Sequence, residues 1–65
     1  MLIKLPVFSS AIAELEWDDL DFSLFVSFHK GGTYILRKVP RELAESFAAS
    51  PSPGSFWNVF MKGRF

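Results

Sequence analysis

The sequence contains no cysteine and only one histidine, so neither a disulfide framework nor a Cys/His zinc site can hold the fold together. No apolar run is long enough to span a bilayer. The opening MLIKLPVFSS, with a single lysine and a break at Pro6, lacks the organisation of a signal peptide. Net charge is missing too, because 7 Lys and Arg balance 7 Asp and Glu. A balanced chain has no broad basic field for gripping nucleic acid through phosphates, although it leaves room for local basic patches. With 65 residues there is material for one domain, residues 1–65, and a chain this short buries only about 60% of its unfolded surface. That argues against a large enclosed active site, and no cofactor or small-molecule substrate is expected. Absence of cysteine suits a reducing cytoplasm, the expected location.

What the chain has in quantity is aromatic volume. Eight phenylalanines and two tryptophans must supply by packing what disulfides and metals do not. The most informative stretch is Phe22 to Pro40, FSLFVSFHKGGTYILRKVP. Here Phe22, Leu24, Val26 and Phe28 alternate with Ser23, Phe25 and Ser27, the period of two that sends one set to each face of a strand. Gly31 and Gly32 supply a turn, and the loop length sets which side of the next strand joins the apolar row. A two-residue turn would set Ile35 beside Val26 or Phe28. A three-residue loop with a left-handed glycine sets Tyr34 and Leu36 beside Leu24, Val26 and Phe28. The second is the expected register, since it gathers the apolar residues on one face and leaves Ser23, Ser27, Thr33 and Arg37 on the other. Phe25 and Ile35 are the exceptions.

Upstream, Ala11 to Trp17 reads as a half-buried first strand in which Ala13, Leu15 and Trp17 oppose Ile12, Glu14 and Glu16. Asp18, Asp19 and Asp21 form an acidic turn. No glycine or glutamate lies downstream at the spacing of a calcium loop, so the turn is read as solvated. Beyond the hairpin, Pro40 stops the last strand and suits the first turn of a helix. Arg41 and Glu45 can pair on its exposed side, and Leu43, Phe47 and Ala48 make its buried stripe. Ser50 to Gly54 break that helix, with Ser52 or Ser55 as caps for the next segment. Phe56, Trp57, Val59, Phe60 and Met61 then read as a second short helix ending near Gly63. The expected fold is α+β: a three-stranded antiparallel meander covered on one face by a helix over 40–49 and a short C-terminal helix near 55–61.

Taken together these residues resemble the KTSC domain, a small module named for its occurrence at the C-terminus of some lysyl-tRNA synthetases. The resemblance runs nearly end to end. It rests on Val7, Ser9, Ser10 and Ile12, the Trp17-Asp18 pair, Leu24, Val26 and Phe28, then Gly32, Tyr34 and Val39-Pro40. It closes on Ser52, Gly54, Asn58, Met61, Lys62 and Phe65. Two departures stand out: the family's Tyr-x-Tyr is here Tyr34-Ile35-Leu36, and tryptophan precedes Asp18 where tyrosine is usual. The resemblance implies a free-standing bacterial or phage domain, and the synthetase context suggests RNA binding.

Enzymatic chemistry is not expected. His29 lies beside the glycine turn without a partner visible in the sequence, and Ser9-Ser10 sits in no nucleophile elbow. Glu14 and Glu16 read as solubilising carboxylates. For RNA, the candidate contacts are Arg37, Lys38, Arg41, Lys62 and Arg64, with Tyr34, Phe56 and Trp57 as stacking partners. The bland alternative is ordinary surface charge around core aromatics. For a protein partner or a homodimer, the candidate surface is Phe25, Ile35 and Arg37, with Glu14 and Glu16 at its edge. There the bland alternative is that Leu2 to Phe8 folds over the pair.

Overall fold

A computed structural model describes residues 1–65. Four antiparallel strands form one sheet in chain order: β1 (Leu2–Leu5), β2 (Ile12–Asp18), β3 (Ser23–Phe28) and β4 (Gly32–Leu36). One face is covered by α1 (Arg41–Ala49) and by α2 (Pro53–Phe56), which widens into a π-helical turn at Trp57–Met61. The architecture is the expected α+β, with a correction: the sheet has four strands, not three. The missing strand is LIKL, too short before Pro6 to show a convincing period in sequence. It pairs with β2 at the edge of the sheet, Ile3 opposite Trp17 and Leu5 opposite Leu15. It therefore does not fold over Phe25 and Ile35.

A second correction concerns β2. Its simple alternation would put Ile12 on the same side as Glu14, yet Ile12 is fully buried. The register with β3 shifts between Ile12 and Glu14, and the extra residue Ala13 reverses the parity upstream of it. Ile12 thereby joins Leu15 and Trp17 in the core. Ser9 prepares this entry, its hydroxyl accepting from the amides of Ala11 at 3.0 Å and Ile12 at 3.1 Å.

The β3–β4 hairpin has the three-residue register. Phe28 pairs with Gly32 across the loop His29-Lys30-Gly31, Val26 with Tyr34, and Leu24 with Leu36. Gly32 takes the left-handed conformation at φ +79°, which a side chain would resist. Phe22, expected in the apolar row, lies in the preceding turn with φ 60° and stacks on Trp17 at 5.4 Å between ring centroids.

That stacking belongs to a lock between the sheet and the segment leading to α1. The Trp17 indole donates to the Val39 carbonyl at 2.8 Å, and the Val39 amide donates to the Phe22 carbonyl at 2.8 Å. Behind it, Leu15, Leu24, Val26, Val39, Ala44, Phe47 and Met61 are fully enclosed. Phe47 stacks on Phe56 and Trp57 at 5.4 and 6.3 Å, so the one aromatic of α1 at full burial carries the C-terminal segment. Leu43 and Ala48 are only half-buried, and Ala44 completes the stripe. No side chain caps α2: Ser52 and Ser55 bond each other through their hydroxyls at 3.0 Å. No helix is long and apolar enough to cross a membrane.

Candidate functional site

The helices lie on one side of the sheet and leave its other face uncovered by any helix, although Ser23 on that face is buried. The register arranges the side chains of that face in rows: Leu2, Asp18 and Ser23; Lys4, Glu16, Phe25 and Ile35; Glu14, Ser27 and Thr33. Phe25 and Ile35 are direct cross-strand partners, a geometry in which side chains touch. Ile35 is 50% exposed. Around the pair the face is polar. Ser27 and Thr33 share a hydroxyl hydrogen bond at 3.0 Å, and Lys4 bonds Glu14 at 3.0 Å. That bond raises the Lys4 pKa. Arg37 donates to the Ser23 hydroxyl at 3.0 Å and pairs with Asp21 at 3.6 Å. The Ser23 side chain and amide, and then Arg37, hold the Asp21 carboxyl below the usual carboxylate range.

On the helical side of β4 the structure opens a groove of about 420 Å³. Its walls include Phe28, Lys30, Tyr34, Trp57, Lys62 and Phe65. Tyr34 occupies a core-facing position of the register, yet it is 52% exposed. The π-helical turn brings Trp57 to 5.5 Å from its ring, and Phe28 meets it edge-on at the same distance, but nothing roofs the outer side. Its burial thus departs from the expectation while its register does not. A comparable groove of about 440 Å³ at Leu5, Pro6, Phe8 and the end of α1 has Glu45 as its one charged residue.

The cations expected to act together are dispersed. Arg37 is engaged by Asp21 and Ser23; Arg41 is held by Glu45 at 3.2 Å and lies over the Trp17 ring at 5.8 Å. Lys38, Lys62 and Arg64 form no ion pair, and of these only Lys62 lines the groove. Lys30, absent from the sequence-based candidates, lines it with Lys62. What could have revealed Lys30 is its place at the tip of a hairpin whose second strand, GTYIL, is uncharged. His29 is not unpartnered: its Nε2 donates to the Ser9 carbonyl at 3.2 Å, and its amide donates to the Ala11 carbonyl. No three acidic or histidine side chains converge as metal ligands.

An antiparallel sheet of four strands with helices on one face defines a small α+β domain. The chain belongs to the KTSC domain family, whose model matches residues 8–65. It is similar to the crystal structure of a KTSC domain protein from Yersinia pestis, with 31% identity, a TM-score of 0.90, and coverage of 100% of this chain and 92% of that one. No curated protein matches.

Proposed function

We propose that this domain is a non-enzymatic protein-interaction module that binds a larger partner through the β4 side of its sheet. What supports this reading is the Phe25–Ile35 pair, with Ile35 half exposed, Phe25 partly buried beside it, and the exposed Tyr34 next to Ile35 along the edge strand. An apolar centre with a rim of Lys4, Glu16, Ser27, Thr33 and Arg37 has the anatomy of a contact surface. In a cysteine-free chain this reading fits a cytoplasmic partner in a bacterial or phage setting. Affinity capture from bacterial lysate, comparing wild type with Ile35→Glu, tests it. A partner retained by wild type and lost by the variant supports the reading, and equal capture by both overturns it.

One observation favours a second reading, RNA contact. Tyr34 presents its ring in the groove that Lys30 and Lys62 line, so a base could stack there, worth about 1 to 3 kcal/mol. Titration with short single-stranded and duplex RNA at low salt, where phosphate contacts are strongest, should then show binding that Tyr34→Ala and Lys62→Ala weaken. Arg37→Ala with Arg41→Ala should weaken it less, because both arginines are already engaged.

A further inference from the structure

We infer that β4 is a strand-addition site that takes an extended segment of a partner protein bearing acidic residues at both ends. This rests on the protein-interaction reading and specifies its chemistry.

The backbone comes first. β4 pairs with β3 on one side only, and no hydrogen bond from any other element reaches the backbone of Gly32–Leu36. The C-terminal segment runs nearby but closes its own bonds, Lys62 amide to Trp57 carbonyl and Arg64 amide to Met61 carbonyl. The outer row of β4 amides and carbonyls is therefore a free template. Its sequence leaves it so: GTYIL holds no charge, no proline and no bulge, the devices by which edges are ordinarily blunted. An added strand alternates its side chains between the faces. One set would meet Ile35, with Phe25 on the strand behind it, and the other would meet Tyr34 and the groove with Lys62.

Charge then selects the occupant. Lys30 precedes the strand and Lys38 comes after it, both exposed and without an ion pair. A second copy paired antiparallel in full overlap, centred on Tyr34, would bring the Lys30 turn of each chain to the end of β4 where the other carries Lys38, beyond the strand at φ 57°. Bringing like charges together at both ends disfavours that pairing. The same two lysines favour a segment with acidic ends and an uncharged, β-branched middle, the recognition mode in which main-chain bonds give affinity and alternate side chains give specificity.

The test uses the full chain and a short peptide alternating valine and threonine with acidic residues at both ends. Amide hydrogen exchange and nuclear magnetic resonance shifts report on Gly32–Leu36. The expected result is slowed exchange along β4, binding at least tenfold weaker for a lysine-ended peptide, and loss of binding when one of the two alternate sets of peptide amides, the set facing β4, is N-methylated. Lys30→Glu with Lys38→Glu, surface changes that keep the fold, should reverse the preference between the two peptides. Binding that survives N-methylation of each alternate set in turn overturns strand addition and leaves the protein-interaction reading standing. Protection of β4 that rises with protein concentration alone, with a dimer in analytical ultracentrifugation, also overturns it, because a second copy then holds the edge. No effect of any peptide, with short RNA shifting the β4 and Lys62 signals, overturns both.

Discussion

β1 and β4 are the two edges of one sheet, both short and both with an outer row of backbone groups that no strand covers. Their sequences treat that exposure differently. β1 places Lys4 in the strand, ties it to Glu14 on the open face, and runs into Pro6. β4 places Thr33, Tyr34 and Ile35 there with no charge among them. Lysine and proline on an edge hinder pairing with another chain, whereas an uncharged β-branched edge invites it. An unguarded edge in a small domain is an aggregation hazard unless it has a use, and the contrast is what the strand-addition proposal at β4 rests on.

The largest predicted effect removes both edges at once. Phe47→Ala empties a fully buried site that supports Phe56 and Trp57, and should cost about 3 to 5 kcal/mol. That is most of the stability of a domain this small, so urea unfolding should show a cooperative transition collapsing toward zero denaturant. A gradual loss confined to the C-terminal segment would mean that the sheet stands without it.

Gly32→Ala acts on one edge. A Cβ there meets nothing within 4 Å, but the backbone is at φ +79°. The cost should be roughly 1 to 2 kcal/mol of conformational strain, with exchange at β4 rising far more than at β1. Equal loosening of both edges would show that the turn does not set the β4 register.

Exchanging the guards has a smaller effect on stability and a decisive one on behaviour. Ile35→Lys should change stability by less than about 1 kcal/mol and make β4 as inert as β1. Lys4→Ile should make β1 prone to association, seen as concentration-dependent light scattering. Unchanged scattering would indicate that Pro6, rather than Lys4, guards that edge.

The smallest effects come from pH, and they separate the edges. The Asp21 pKa is lowered by Ser23 and then by Arg37. Its contribution is present above the unfolded carboxylate range and lost as pH falls through the folded value, so acid should loosen the β4 end first. The Lys4 pKa is raised by Glu14. Its contribution is present below the unfolded value and lost as pH rises through the folded one, so strong alkali should loosen β1. Asp21→Asn and Glu14→Gln should each abolish one limb in hydrogen-exchange profiles, and an acid limb that persists in Asp21→Asn would assign it elsewhere.

Much of this fold was legible because it is written in local periodicity. The alternation from Leu24 to Phe28, the glycine turn, and Pro40 before the helical stripe led directly to β3, β4 and the start of α1, although β4 ends at Leu36, ahead of the left-handed Lys38, and not at Pro40. The family was legible too, from the order and spacing of residues between Val7 and Phe65. Two things failed for a shared reason. LIKL is too short for a period to declare itself, and the Ala13 bulge breaks a period without leaving a signal in residue type. Each is fixed by pairing with a strand distant in sequence. The register was legible, since Phe25 and Ile35 are cross-strand partners as alternation predicts, whereas the convergence of Lys30 with Lys62 requires the C-terminal turn to return beside β4.

By itself the sequence determined that aromatic packing must hold a small cysteine-free α+β domain, and that Tyr34 and Leu36 share a face with Leu24, Val26 and Phe28. Both come from composition and from the alternation of side chains along a strand, which need no knowledge of distant contacts. Only the tertiary structure decided that β1 takes the far edge, that Tyr34 stays half in solvent on a core-facing position, and that β4 is left bare. Those depend on how far the helical layer extends over the sheet. Phe47, Phe56 and Trp57 stack into a cover that reaches the Tyr34 ring and stops there, and the extent of a packed layer is a property of all its members together, not of any stretch read alone.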